Sequence, residues 1–405
     1  MLNYFWWYSA IWSLVLILYS LDINPFRFEL SGELLAFIIS SVVISFSLGL
    51  LARDKFSFPD SKKKISSPIK LLGKDKFFSK PVFILAIGSA LEFALMRSIP
   101  LLSIIVLHVE KHKEIEYVPI FHVVIVTLVT FFAIVYSYIA ITNKEKRKKA
   151  IVCFACLIFI LLLYLLRSQI AMVCVAAAII LFSALIKKYK IKIRHILIAL
   201  AIILVGLFGF GAIGNMRQGY AWNDNSYIEE IGEYQEWPVF IPKQYMWAYS
   251  YITTSLANLA YNMQMGVTEE HSVKGVLLEL VPDTVSKRFA DEEVVDDTDH
   301  KYLIKSTFTT STGFFGSYLN GGYIGMYVIF AYMMGLGILG VSISDKLKNG
   351  SVFVIFAAIL STAYIFMLFD NMFTYVGFGI PVLIATVLML FNLQKRGKKN
   401  EQSQD

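Results

Sequence analysis

Cysteine, charge and cofactor motifs are scarce in this chain. Its 405 residues include three cysteines, Cys153, Cys156 and Cys174, all in apolar stretches that leave no place for a disulfide framework. Cys153 and Cys156 have CxxC spacing, but no other soft ligand is near them in the sequence, so packing is the better interpretation. The sequence contains no Gly-rich phosphate loop, HExxH, GxSxG or Asp-rich motif. We therefore expect no metal, no cofactor and no ATP hydrolysis.

Long apolar runs dominate the sequence. Only 17% of the residues are charged and 57% are hydrophobic, a balance that excludes an ordinary soluble domain. Runs of about 20 apolar residues, enough to cross a ~30 Å hydrocarbon core as helices, recur along the chain. Ten such spans are centred near Val15, Val42, Ala94, Phe131, Phe159, Ala177, Ile203, Phe330, Leu360 and Thr386. We predict an all-α polytopic membrane protein with about ten transmembrane helices.

The basic residues predict an orientation. Nine Lys or Arg lie in residues 53–80, five in residues 144–149 and five in residues 187–194. The positive-inside tendency places these loops, and both termini, in the cytoplasm. No removable signal peptide is expected, because the first apolar run has neither a basic leader nor a small-residue cleavage site. The net charge of +7 comes from loops that face anionic lipid, so nucleic acid is not an expected partner.

Residues 215–312 form a large acidic segment on the predicted outer side, with fifteen Asp or Glu against seven Lys or Arg. The sequence thus predicts four parts. Residues 1–214 contain seven spans, residues 215–312 form the external loop, residues 313–394 contain three spans, and residues 395–405 form a basic cytoplasmic tail. Within the loop, residues 244–265 carry no ionisable Asp, Glu, Lys, Arg or His. We expect a helix there that lies at the interface or folds back into a cavity, since a further crossing would put the basic tail outside.

Three arginines on the predicted outer side are candidate ligands for a diphosphate. Arg217 directly follows the seventh span, Arg167 lies in the tight turn between the fifth and sixth spans, and Arg97 lies in the outer half of the third span. A guanidinium can hold two phosphate oxygens at once. The alternative is an interfacial arginine that extends toward the headgroups. Glu92 shares a span with Arg97, but five residues place the two about 140° apart on an ideal helix.

The sequence offers only weak candidates for a catalytic base. We select His300 and Glu230 in the acidic loop, either of which would take a proton from a hydroxyl. Exposed loop side chains with no such role are the alternative. Other ionisable groups of the loop are equally eligible, namely His271, Asp224, Glu229 and Glu236.

An aromatic row opens the uncharged helix. Tyr245, Trp247, Tyr249 and Tyr251 alternate there, and on a helix the pairs 245/249 and 247/251 share faces. Aromatic rings pack well against the C–H faces of pyranoses, so these residues are candidate sugar ligands. An interfacial aromatic belt explains them almost as well.

These features, taken in their order along the chain, resemble the Wzy-type oligosaccharide repeat-unit polymerases of bacterial surface polysaccharides such as O-antigen. The pattern comprises about ten spans, the Arg167–Ser168 turn, Arg217, a late external loop with Tyr251, Ser255 and Asn258, and the Gly-rich segment 313–325. One departure is that some members pair outer-loop arginines with a Gly eleven positions later, where this chain has Ala178 and Ile228. The substrate-handling role of those loop motifs is therefore not transferred.

The resemblance implies a GT-C-like glycosyltransferase in the bacterial inner membrane. Its donor would be a glycan on undecaprenyl diphosphate and its acceptor a single lipid-linked repeat unit, with a flippase and a chain-length regulator as pathway partners. Arg217, Arg167 and Arg97 would hold the diphosphate, and the aromatic row with Asn258 would bind sugar. An O-antigen ligase and a lipid-linked oligosaccharide flippase are the alternatives; transporters usually contain internal repeats, which this chain lacks.

Overall fold

A computed structural model describes residues 2–21, 23–56, 78–107, 117–188, 193–266, 272–289, 302–347 and 350–393. Within helices, the side chains of residues 104–107, 196, 199 and 217 lie outside this description. Over the described residues the chain is helical, and Leu347 and Leu393 form one isolated antiparallel bridge. The prediction of an all-α protein is confirmed for this part of the chain.

The α-helices are α1 (Tyr4–Ser20), α2 (Gly32–Leu51), α3 (Lys80–Met96), α4 (Pro100–Leu107), α5 (Phe121–Thr142), α6 (Arg147–Leu163), α7 (Arg167–Lys188), α8 (Ile193–Arg217), α9 (Ser226–Gly232), α10 (Tyr245–Gln264), α11 (Val273–Leu278), α12 (Asp283–Ser286), α13 (Phe315–Ser344), α14 (Gly350–Phe366) and α15 (Val376–Phe391). A short 3-10 helix covers Arg53–Lys55.

Each predicted span centre lies in a helix. Among the described residues, α2, α5, α7, α8 and α13 are long and apolar enough to cross a membrane, and α14 and α15 are shorter apolar helices. Helices of this length and composition are those of a membrane protein. The count of ten spans and the side on which each loop lies stay predictions.

Helix α14 lies at the centre of the bundle. All of its residues from Ser351 to Tyr364 are buried, and it packs against α1, α5, α7, α13 and α15. Polar side chains join its neighbours to the core, since the Tyr138 hydroxyl donates to Ser351 at 2.8 Å and the Tyr364 hydroxyl donates to the carbonyl of Met333. Such bonds are required because lipid offers a buried hydroxyl no partner.

The bundle has two distinct ends. At one end, here the basic end, Lys55 beside the C-terminus of α2 pairs with Asp345 beside the C-terminus of α13. At the other end α7 and α15 begin, where the Gln169 amide donates to the Tyr375 hydroxyl. This second end adjoins residues 215–312, and we call it the loop end. Helices α2, α5, α7, α13 and α15 begin there, and α1, α3, α6, α8 and α14 finish there.

The uncharged helix predicted at residues 244–265 is α10, and it is confirmed as a helix. It packs against α8, α9 and α1, and most of its residues are buried. Near the loop end of α1, the Asn24 amide donates to the Thr253 hydroxyl at 2.6 Å, and farther along α10 the Gln264 amide donates to the Glu29 carbonyl at 3.0 Å. Helix α10 is therefore a part of the fold and covers the loop end of the bundle.

Helix α13 is broken inside the Gly-rich segment. Gly322 has φ 55° and ψ −147°, a conformation essentially restricted to glycine. The short stretch before the break packs against α11, where the Ser272 amide donates to the Asn320 carbonyl at 2.8 Å. Glycines 275 and 321 permit this approach, because a Cβ at either one would collide with the facing helix. The Gly-rich pattern noted in the sequence thus marks a helix break.

Helix α8 differs from the rest of the bundle. Only 6% of its most apolar window is buried inside the protein, and α10 is its main packing partner. Large apolar side chains such as Ile202, Val205 and Ile213 are more than half exposed. Apolar exposure on this scale is stable in lipid and unstable in water, which supports the membrane assignment.

Candidate functional site at the loop end

Three parallel helices begin beside one another at the loop end. Helix α5 packs directly against both α7 and α15, and the first turn of α7 contacts the start of α15. Each helix N-terminus carries a partial positive charge from its aligned peptide dipoles, and the first N–H groups of α5 (Phe121 and His122) and of α7 (Arg167) donate to nearby backbone carbonyls. We call the first turns of α5, α7 and α15 the N-terminal cluster. Together with Arg167, the first residue of α7, it forms an electropositive surface suited to an anion.

Side chains hold the N-terminal cluster together around Tyr375. Its hydroxyl accepts the Gln169 amide and lies 3.1 Å from the Ser168 hydroxyl, which itself donates to Gln169 at 2.9 Å. Gln169 is buried, and Gly377 lies against it where a Cβ would collide with its amide nitrogen. Burial raises the pKa of Tyr375, which stays a neutral hydroxyl at neutral pH. The Arg167–Ser168 turn is thereby fixed to the connection between α14 and α15.

Arg97 ends α3 in a left-handed conformation, with φ 54°. Pro100 opens α4 three residues later, where its missing N–H costs nothing. Arg97 is exposed and forms no ion pair with any described residue, and it lines an open pocket of about 370 Å³. The other lining residues are Ala90, Phe93, Ala94, Ser98 and Ile99.

Arg97 and Arg167 both lie near Tyr164. Phe93, one turn before Arg97, has its ring centroid 4.5 Å from that of Tyr164. Tyr164 follows α6 and precedes Arg167 by three residues. Two of the three predicted diphosphate ligands therefore lie in one region, although the sequence separates them by 70 positions.

Arg217 belongs to a different part of the loop end. It is the last residue of α8, which packs mainly against α10, and its side chain lies outside the described residues. Its backbone is fixed by Asn215, which is fully buried and accepts a hydrogen bond from the Trp247 indole at 2.7 Å. No described contact connects Arg217 to Arg97 or Arg167, so its role as a third ligand stays a prediction.

The predicted aromatic row is largely occupied by protein contacts. Trp247 is buried between the rings of Tyr227 and Tyr251, which lie nearly parallel to it at 6.0 and 6.4 Å. Tyr249 is buried as well and donates its hydroxyl to the Leu18 carbonyl. The half-buried Tyr245 and Tyr251 are the members that retain exposed surface. These contacts give Trp247 and Tyr249 a packing role, and sugar binding by the row stays a prediction.

Asn258 is likewise buried and fully engaged. Its amide donates to the carbonyls of Phe308 at 2.9 Å and Thr310 at 2.7 Å, and its oxygen accepts the amide of Ile304 at 3.2 Å. These bonds hold the chain that leads into α13. The geometry gives Asn258 a structural role, and the sugar-binding role that the resemblance implies stays a prediction.

The predicted bases are dispersed. Glu230 is exposed on α9, and His300 and His271 lie outside the described residues. Glu229 pairs with Lys243 at 2.8 Å. Asp224 accepts hydrogen bonds from the hydroxyl and amide of Ser226, which lower the pKa of its carboxyl and make it a weaker base.

One cluster of ionisable groups at the loop end was missed by the sequence reasoning. Glu92 has no exposed surface, and its carboxylate accepts the Tyr164 hydroxyl at 2.6 Å and lies 3.1 Å from Nδ1 of His122. The Tyr117 ring lies against the imidazole, tilted by 30° and with centroids 4.0 Å apart. Burial and, secondarily, the Glu92 carboxylate raise the pKa of Tyr117 to about 12. The only signal in the sequence was a carboxylate in an apolar span, since its partners lie 30 and 72 residues away.

Backbone strain concentrates around the same cluster. Four described non-glycine residues have positive φ, and three of them lie close in sequence to members of this cluster. These three are Arg97, Ile120 and Leu165. Each such conformation costs about 1–3 kcal/mol and persists where the surrounding structure enforces it. The loop-end termini of α3, α5 and α6 are thus held in one defined arrangement.

Comparison of this chain with protein families, curated proteins and solved structures gives no significant match. No group of three or more metal-ligating side chains occurs among the described residues.

Proposed function

We propose that this protein is a metal-independent, GT-C-like membrane glycosyltransferase of the Wzy type. It polymerises undecaprenyl-diphosphate-linked repeat units at the loop end and releases undecaprenyl diphosphate. The observation that carries the proposal is the N-terminal cluster with Arg167 in its rim. A diphosphate leaving group bound beside the first turns of α5, α7 and α15 would be stabilised by three helix dipoles and the Arg167 guanidinium, and the neighbouring apolar helices would accommodate its lipid chain.

Two further features support an anionic lipid substrate. Arg97 forms no ion pair with the described residues and lines an open pocket among apolar side chains, so its charge is available to a ligand. The low burial of α8 leaves apolar surface beside the loop end for a polyprenyl chain. Arg217 would complete the site from the other side, at the C-terminus of α8.

The reaction follows from these groups. A hydroxyl oxygen of the acceptor's terminal sugar attacks the anomeric carbon of the donor glycan. The bond from that carbon to the diphosphate oxygen breaks, and its electron pair leaves with undecaprenyl diphosphate. The acceptor hydroxyl releases its proton to a base. Arg167 and the helix N-termini stabilise the charge that grows on the leaving diphosphate, which is where fixed dipoles accelerate a reaction most.

Reconstitution tests this function directly. The full chain in lipid vesicles would receive the undecaprenyl-diphosphate-linked repeat unit isolated from cells that lack the protein. We expect wild type to produce a ladder of longer glycans, and Arg167→Ala to lose roughly 10- to 150-fold in rate, the equivalent of about 1.5–3 kcal/mol for a charged hydrogen bond. Arg53→Ala at the basic end is the matched control and should behave as wild type.

Other results of this experiment would indicate a different function. Transfer of glycan to a lipid A core acceptor without lengthening would identify a ligase. Movement of the lipid-linked unit across the membrane with no new glycosidic bond would identify a transporter. Wild-type activity in Arg167→Ala would remove the Arg167 guanidinium from the mechanism.

A further inference from the structure

We propose that His122, oriented by Glu92, is the general base that takes the proton from the acceptor hydroxyl. This inference rests on the proposed function and adds the base that glycosyl transfer requires. It assigns a catalytic residue on α5, in the bundle itself, in place of the acidic residues of the external loop.

The geometry is that of a base held by a second group. The Glu92 carboxylate faces Nδ1 of His122 at 3.1 Å. In the neutral imidazole Nδ1 therefore carries the N–H proton and donates a hydrogen bond to the carboxylate. The lone pair is then on Nε2, on the opposite edge of the ring. A carboxylate behind an imidazole fixes its tautomer and stabilises the imidazolium that forms when it accepts a proton.

Glu92 is itself fixed in place. Its second carboxylate oxygen accepts the Tyr164 hydroxyl at 2.6 Å, and no part of Glu92 is exposed. An uncompensated buried carboxylate is costly, so this group persists because two partners satisfy it. The tilted ring of Tyr117 lies against the imidazole and limits its rotation. Tyr164 and Tyr117 are positioning residues in this arrangement.

Accessibility distinguishes His122 from Glu92. The His122 side chain is 17% exposed, whereas that of Glu92 is 0% exposed. His122 is also the second residue of α5, inside the N-terminal cluster. A substrate at the loop end can therefore reach the imidazole and cannot reach the carboxylate.

The proton balance closes within this site. As the acceptor oxygen forms its bond to the anomeric carbon, its proton moves to Nε2 of His122. The resulting imidazolium is paired with Glu92, while the electron pair of the broken bond leaves with the diphosphate. The proton then returns to solvent or to the released diphosphate, which restores the neutral imidazole.

The test uses the full chain in vesicles with the same isolated lipid-linked repeat unit. We expect His122→Asn to lower kcat by about 100-fold or more, the usual contribution of a general base, while donor binding is retained. Added imidazole should partly restore the rate of His122→Gly. Glu92→Gln should show a smaller loss in kcat. His195→Asn, on α8 at the basic end, is the matched control and should leave the rate unchanged.

Only variants that elute as a single peak in size-exclusion chromatography are compared. His122→Gln is used if His122→Asn fails this criterion. Wild-type kcat in His122→Asn would overturn the assignment while leaving the polymerase function intact. Equal losses of donor binding and rate, with no rescue by imidazole, would show a structural role and also overturn it. A wild-type protein that forms no polymer would instead reject the proposed function.

Discussion

The Trp247 indole donates a hydrogen bond to the Asn215 side chain at 2.7 Å and so fastens α10 to the loop end of α8. The amide of Asn215 donates in turn to Asn225 at 2.9 Å and to the Trp222 carbonyl at 3.2 Å. One buried side chain thus joins the last turn of α8, the start of residues 215–312 and α10. The backbone of Arg217, two residues farther along, is therefore positioned mainly through α10.

Trp247→Phe tests this connection. The substitution leaves the buried Asn215 oxygen without its donor, at a cost of about 1–3 kcal/mol. We expect a lower thermal unfolding midpoint in detergent. Trp222→Phe is the control, because its ring is 54% exposed, and it should change the midpoint little. Equal midpoints for the two variants would show that the indole hydrogen bond does not stabilise the protein.

Gly322→Ala tests the break in α13. Alanine cannot adopt φ 55° and ψ −147° without strain, so we expect a loss of about 1–3 kcal/mol in the free energy of unfolding. Gly335→Ala in the same helix is the control. A Cβ there meets no atom within 4 Å, and helix propensity favours alanine over glycine by about 1 kcal/mol. Thermal unfolding would reveal the contrast, and comparable stability of both variants would argue against a break at Gly322.

Asn258→Ala tests the attachment of the chain ahead of α13. Three hydrogen bonds to Ile304, Phe308 and Thr310 disappear, and the backbone groups they satisfied are left without those partners. We expect this segment to become sensitive to limited proteolysis. Gln264→Ala, which removes one exposed hydrogen bond from the same helix, should retain the wild-type pattern. Resistance of Asn258→Ala would show that other contacts hold the segment.

The orientation of the two ends can be measured with single cysteines. In a chain whose own three cysteines are replaced by alanine, Ser226→Cys reports on the loop end and Lys346→Cys on the basic end; both positions are exposed. A membrane-impermeant maleimide should label Ser226→Cys in spheroplasts and Lys346→Cys only after permeabilisation. The reverse pattern would invert the predicted topology.

The apolar runs predict the helices because they are a local signal that does not depend on tertiary contacts. The sequence also predicts α10 as a helix, from an uncharged stretch inside the acidic segment. The pairing of Glu92 with His122 and Tyr164 was beyond its reach, since that pairing depends on how three helices pack. The aromatic row shows the same limit. A ring that packs on Asn215 and a ring that binds sugar have the same local sequence, and only the fold separates them.

The break at Gly322 has a consequence for how the protein is made. A broken helix leaves backbone groups that lipid cannot satisfy, and the Asn320 carbonyl finds its donor in the amide of Ser272. Ser272 is synthesised before α13, so the partner already exists when the broken segment leaves the ribosome. The donor of this hydrogen bond is therefore synthesised before its acceptor, and a chain with residues 272–278 deleted would leave the Asn320 carbonyl without it.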